Sequence, residues 1–208
     1  MSNPLYDVDR AIAAALQSAS LQQNALLHWI GAAFNWWGGA GVIYFAAVLW
    51  LGGRALKNAR LSTLGLRGAE AIAVASALGT IVKGFAGRAR PFLTPGEPWH
   101  WKLFFHGWSD APNYSMPSGH TTATIAFAAA VAVATARWTQ PARSLVITGA
   151  FVSGALVGFA RMYTNQHWFT DVLAGAVLGV STGLLLTRWH ERHPGSAFDR
   201  VLLGTKAA

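Results

Sequence analysis

Gly119-His-Thr-Thr-Ala-Thr-Ile-Ala-Phe-Ala-Ala-Ala-Val-Ala-Val-Ala-Thr-Ala136 runs for eighteen residues without a formal charge, and Pro117-Ser118 stands directly before it. A helix needs about 20 mostly apolar residues to cross about 30 Å of hydrocarbon, because each backbone polar group must be satisfied within the segment. Working outward, Ser144 to Ala160 and Phe34 to Gly53 are equally free of charge. Ala69 to Phe85 carries Glu70 and Lys83 near its ends, and Trp168 to Thr187 carries Asp171 one turn from its start. The expected fold is therefore all-α: a polytopic transmembrane helix bundle with five core spans, in a single domain over residues 1–208. Leu5 to Phe34 mixes Ala and Leu with Gln17, Ser18, Ser20, Gln22, Gln23 and Asn24. That pattern predicts an amphipathic helix lying at one membrane surface, with a sixth crossing as the alternative.

Composition agrees with this class. The chain is 53% hydrophobic and 12% charged, with a mean hydropathy of +0.33, which is lean in charge for a soluble domain. Its net charge of +8 brings nucleic acid to mind, yet no basic stripe interleaved with aromatics lies in a water-facing segment, so no nucleic-acid partner is expected. There is no cysteine, which removes disulfides and thiolate metal sites. The N-terminal residues lack the basic, apolar and small-residue order of a cleaved leader, so insertion is expected to rely on the first spans.

Charge placement orients the bundle. Gly52 to Arg67 holds Arg54, Lys57, Arg60 and Arg67 without an acid, and the positive-inside rule makes it cytoplasmic. Alternation puts Arg137 to Arg143 inside, together with the tail bearing Arg188, Arg192, Arg200 and Lys206. Arg10, Lys83, Arg88, Arg90, Lys102 and Arg161 fall outside, where the rule disfavours them, and this exception points to a site. The long outer segment also carries Trp99, Trp101, Phe104, Phe105 and Trp108, an aromatic density suited to an interfacial belt or a groove for a lipid tail. Glycines 175, 179 and 183, and Gly154 with Gly158, give the small-xxx-small spacing of closely packed membrane helices. Glu70, inside a span, is expected to pair with a cation or line a cavity.

Three local patterns carry chemistry. Lys83-Gly-Phe-Ala-Gly-Arg-Ala-Arg90-Pro91 sets two cations at the end of a span that proline cannot continue. Pro117-Ser118-Gly119-His120 opens the next span, whose free N–H groups and Ser hydroxyl can face an anion. Arg161-Met-Tyr-Thr-Asn-Gln-His167-Trp-Phe-Thr-Asp171 gathers a cation, an imidazole and a carboxylate. If His167 and Asp171 share a helix, they lie on one face, where the acid fixes the imidazole tautomer and frees the other nitrogen as a nucleophile. Singly, each residue has an ordinary use as a snorkelling cation, a cap or an interfacial hydrogen bond.

Together the patterns resemble the type-2 phosphatidic acid phosphatase family, whose motifs are Lys-x6-Arg-Pro, Pro-Ser-Gly-His and Ser-Arg-x5-His-x3-Asp. All three occur in order over residues 83–171, with Ala160 in place of the Ser of the third. The resemblance implies a membrane lipid phosphatase in which Lys83, Arg90 and Arg161, with Ser118 and the Gly119 N–H, hold phosphate. His167 would attack phosphorus, Asp171 would steady it, and His120 would protonate the leaving oxygen and later activate water. It implies no metal and no cofactor. The expected partners are membrane lipids and a lipid phosphate or diphosphate such as undecaprenyl diphosphate, phosphatidylglycerol phosphate or phosphatidic acid. The expected location is a bacterial plasma membrane, with the site facing the periplasm or exterior. Alternatives are a lipid phosphotransferase with the same residues, a noncatalytic head-group-binding protein, and a vanadate haloperoxidase, a class that is normally soluble.

Overall fold

The computed structural model describes residues 3–104 and 114–194 together with Asp199, Leu202 and Leu203. Its helices are α1 (Pro4–Leu16), α2 (Ala19–Gln22), α3 (Ala25–Trp36), α4 (Val42–Ala55), α5 (Ala59–Ala86), α6 (Gly119–Ala134), α7 (Ala142–Tyr163) and α8 (Phe169–Arg192). No strand occurs among the described residues, where Arg88 and Trp101 form an isolated antiparallel bridge. Four rods are long and apolar enough to cross a membrane: Ala25–Ala55, α5, α7 and α8, with α6 shorter at 16 residues. This is the architecture of an integral membrane protein.

The reading of Leu5 to Phe34 as one surface helix needs revision. Asn24 breaks the polar run by capping α3, its side chain accepting the Leu27 N–H at 3.0 Å. From Ala25 the chain is already in its first long rod, which passes through a π-helical turn, Trp37–Gly41, into α4. Only α1 and α2 are separate. Tyr6 donates to the Gly96 carbonyl at 3.2 Å and Gln17 to the Tyr163 carbonyl at 3.1 Å. Gly96 lies in the segment following α5 and Tyr163 is the last residue of α7, so α1 spans that end of the bundle.

The uncharged stretch quoted first becomes α6, whose residues from Thr121 to Val131 are all buried. It packs against α5, α7 and α8, and a helix enclosed all round has no need of a polar face. The glycine stripe of α8 lies along it. A Cβ at Gly175, Gly179 or Gly183 would stand 2.7, 2.6 or 2.4 Å from the carbonyl oxygens of Ser118, Thr122 and Ala126, distances that only a bare backbone tolerates. Gly154 likewise admits Ile125, and Gly158 admits Val172.

α5 ends where Gly87 takes a left-handed conformation, φ 56°, the usual glycine stop. Lys102 N–H then donates to the Gly87 carbonyl at 2.8 Å and Ala89 N–H to the His100 carbonyl at 2.9 Å. This short pairing turns Arg88 inward, where its guanidinium lies 5.0 Å from the Trp101 ring. Among the predicted belt aromatics, Trp99 meets Trp101 edge-on and Phe104 is exposed. Phe105 and Trp108 lie outside the described residues, as do Arg200 and Lys206.

Candidate active site

His167 precedes α8 by two residues, so it does not share a helix with Asp171. The pair meets by a different route. Trp168 is the N-cap, and Asp171, third in the helix, folds its carboxylate back so that Oδ2 accepts the Trp168 N–H at 2.9 Å. The same oxygen accepts the Ser115 hydroxyl at 2.5 Å and stands 3.7 Å from His167 Nδ1. Ser115 Oγ lies 3.3 Å from that nitrogen, which makes Ser115 a bridge on the Nδ1 side of the imidazole. His167 is buried. Burial pushes its pKa down to about 3, helped by the charges of Lys83 and Arg161 and opposed by Asp171, so the ring is neutral at pH 7 and its lone pair is free.

Three cations gather here from separate elements, Lys83 and Arg161 acting on the ring and Arg90 on Asp171. Lys83, in the last turn of α5, donates to the Tyr114 carbonyl at 2.8 Å and the Ser115 carbonyl at 3.3 Å. Arg90 donates from one terminal nitrogen to Gln166 Oε1 at 2.7 Å. Burial lowers its pKa while the Asp171 charge opposes, and a guanidinium so placed keeps its charge at neutral pH. Arg161, in the last turn of α7, donates to Asn35 on α3. Both arginines keep Nε buried without a hydrogen-bond partner. A buried donor left unpaired costs about 1–3 kcal/mol, and a phosphate oxygen is an acceptor suited to it.

His120, in the first turn of α6, faces the charges of Arg161, Lys83 and Arg90. It lies against the π-helical turn, where a Cβ on Gly39 would stand 3.1 Å from Nε2. The Gly119 N–H opens the same helix, close to the Lys83 side chain. Ser118, expected as a phosphate donor, has partners within the protein. It is fully buried, its hydroxyl pairs with Thr121 Oγ1 at 2.9 Å, and its N–H donates to the Asp171 carbonyl at 2.9 Å. Its observed contacts tie α6 to α8. Ala160, which replaces the family serine, is fully buried too.

Sequence reading missed Ser115, Asn35, Gln166 and, above all, Arg88 with Asp9. Arg88 donates to Asp171 Oδ1 at 2.6 Å, Asp9 Oδ2 at 2.6 Å, Thr170 Oγ1 at 2.7 Å and the Pro98 carbonyl at 2.8 Å. The one signal for Arg88 was its place on the side of the membrane disfavoured for basic residues. Nothing in the sequence marked Asp9. Glu70, by contrast, lies at the other end of the bundle, where it pairs with Arg67 at 2.8 Å and His190 at 3.2 Å.

Comparison with known proteins bears on this geometry. A crystal structure of a transmembrane PAP2-type phosphatidylglycerolphosphate phosphatase from Bacillus subtilis superposes with a TM-score of 0.70 at 22% identity, covering 93% of this chain and 89% of that one. The structure of Aquifex aeolicus LpxE superposes with a TM-score of 0.57 at 22% identity, over 88% and 93% of the two chains. An uncharacterized 22.5 kDa protein in the cps region of Klebsiella pneumoniae is 30% identical over 97 residues, 45% of this chain. The chain spans about half the length of that curated relative, 46%. The PAP2 superfamily pattern matches residues 65–194. That match runs from α5 to the end of α8 and takes in Lys83, Arg90, His120, Arg161, His167 and Asp171; the chain belongs to the PAP2 superfamily.

Proposed function

We propose that this protein is a membrane phosphatase that hydrolyses a lipid phosphate or diphosphate through a phosphohistidine at His167, without a metal. The observation that carries the reading is a neutral, buried imidazole backed by Ser115 and Asp171 and faced by Lys83 and Arg161, with Arg90 near Asp171. With Nδ1 engaged, Nε2 is the nitrogen left to attack phosphorus. The three cations, with the Gly119 N–H, neutralise charge on the equatorial oxygens. His120 gives a proton to the departing lipid oxygen, and after the lipid leaves it takes one from the water that cleaves the phosphorus–nitrogen bond. Among the described residues no three His, Asp or Glu side chains gather as metal ligands.

A lipid substrate is favoured by the surroundings of His120. A cavity of about 250 Å³ lies among α4, α5 and α6, lined by Gly39, Ile43, Gly79, Thr80, Lys83 and His120. It sits within the apolar rods, beside the proposed leaving-group acid, so a tail can remain in hydrocarbon while its head reaches His167. Undecaprenyl diphosphate, phosphatidylglycerol phosphate and phosphatidic acid all suit this arrangement, at the periplasmic or exterior face of a bacterial plasma membrane. The test is phosphate release from these lipids in detergent with EDTA present. Release by wild type and not by His167→Ala supports the reading, and the best substrate assigns the head group. Equal release by both proteins overturns the nucleophile, loss of wild-type activity in EDTA overturns metal independence, and transfer of phosphate to an added lipid alcohol in place of water makes the enzyme a transferase.

A further inference from the structure

Asp9 is fully buried, although it belongs to a short helix at the surface of the bundle. Its Oδ1 accepts the Thr170 N–H at 2.8 Å, and its Oδ2 accepts the Thr170 hydroxyl and Arg88, both at 2.6 Å. Thr170 lies in the first turn of α8, whose N–H groups have no partners within the helix. Asp9 therefore acts as a cap supplied from α1, 161 residues away. Arg88 in turn is shared between two fully buried carboxylates, Asp9 and Asp171, 2.6 Å from each. Its plane is held by the Pro98 carbonyl and by Trp101 and Trp168, whose rings lie 5.0 and 5.7 Å away.

We propose that Asp9 and Arg88 are positioning residues for the reaction: α1 reaches behind the site and, through one guanidinium, sets where the Asp171 carboxylate stands between Arg88, Ser115 and His167. This rests on the reading of His167 as nucleophile. The geometry explains the division of labour. Asp171 spends Oδ1 on Arg88 and keeps Oδ2 for Ser115 and the imidazole. An Arg88 bound to Asp171 alone would draw that carboxylate toward itself, whereas sharing with Asp9 balances the pull. A buried carboxylate needs such a partner, and a fixed fork serves two acids at once where an ammonium offers one point charge. The PAP2 match begins at residue 65, so α1 adds this element from outside the matched region.

The test uses the full-length protein in detergent, with Asp9→Asn and Arg88→Lys as variants. Asparagine keeps an acceptor for the Thr170 N–H but removes the charge, and lysine keeps the charge but not the fork. We expect each to lower kcat on the best lipid phosphate by about tenfold with KM within about twofold, and the double variant to lose little more than either alone, as for residues in one network. A buried pair serving stability only would lower the melting temperature and leave kcat per folded molecule unchanged, which would overturn the proposal. A second readout needs no turnover. The nitrogen-15 resonances of the His167 ring should shift in folded Asp9→Asn; wild-type resonances there overturn the proposal whatever the substrate. If His167→Ala stays active, the proposed function falls, and the positioning role is judged on the resonances alone.

Discussion

The two ends of this bundle carry nearly the same cluster and face different tasks. At one end Arg88 bridges Asp9 and Asp171 beside His167; at the other Arg67 bridges Glu70 and Asp199, at 2.8 and 2.6 Å, beside His190. An arginine, two acids and a histidine therefore do not define a catalytic centre. What distinguishes the first end is where its cations gather: Lys83, Arg90 and Arg161 stand around the buried His167 and Asp171 with no carboxylate of their own among the described residues, and Arg90 and Arg161 keep a buried Nε unpaired there. At the second end one guanidinium pairs with both acids. This pairing fastens Asp199 to Arg67 of α5 and lies beside His190 of α8.

The sharpest way to break this comparison is to delete both histidines in turn. His167→Ala should lower kcat by about 10⁴-fold or more, as loss of a nucleophile does, while His190→Ala should leave phosphate release within about twofold of wild type, as for residues remote from the chemistry. Comparable losses, measured on protein of equal folded fraction, would mean that the second cluster takes part in turnover. Next in size are the arginines. Arg161→Lys keeps charge but loses the planar fork, and should cost about 10²–10³-fold in kcat, the range for one donor to a developing oxyanion. Arg67→Met instead strands the buried Asp199 and the half-buried Glu70 and should cost about 3–5 kcal/mol of stability, read as a fall in melting temperature with kcat per folded molecule kept.

Smaller effects should come from the glycine stripe, which joins the ends. Gly175 lies one turn beyond Asp171 and would put a methyl carbon 2.7 Å from the Ser118 carbonyl, whereas Gly183, two turns further on, meets the Ala126 carbonyl at 2.4 Å. Either alanine should cost about 1–3 kcal/mol through overpacking. Only Gly175→Ala, by pushing α8 off Ser118 and shifting Asp171, should also lower kcat, by several-fold; equal kcat in both variants would show that the site tolerates helix displacement.

Much of this was legible in the sequence because membrane helices and phosphate sites are both written locally. Spans follow from uncharged runs, and the cations, imidazoles and acid fall in three short motifs whose spacing is fixed by a helix end or a single turn. What stayed hidden depends on contacts far apart in the chain. Arg88 looked like one more outer cation, and its burial follows from the left-handed Gly87 and the pairing with Lys102, which no periodicity reports. Asp9 gains its role only when α1 lies across the mouth of the bundle. The start of the first rod at Ala25 was masked by the polar residues 17–24, which form a short helix and caps before the apolar run begins. The contacts of Ser118 with Thr121 and with the Asp171 carbonyl were also hidden, because they arise where α6 and α8 touch.

The smallest expected effect is none at all, and it concerns the charge state of His167. A histidine in water titrates near pH 6.5, so at pH 5 roughly 97% of such rings are protonated. His167 has its pKa lowered to about 3, chiefly by burial, which Asp171 opposes and the charges of Lys83 and Arg161 assist. A pKa lowered for a base means that the neutral form persists as pH falls, and the nucleophile should remain available from pH 8 down to pH 5. Nitrogen-15 spectra of the ring, assigned against His167→Gln, should show one neutral tautomer unchanged over that range. A midpoint at pH 6 or above would place water or an unbalanced carboxylate beside the ring. Burial of the ring, the chief cause of the lowered pKa, would then be less complete than its geometry indicates.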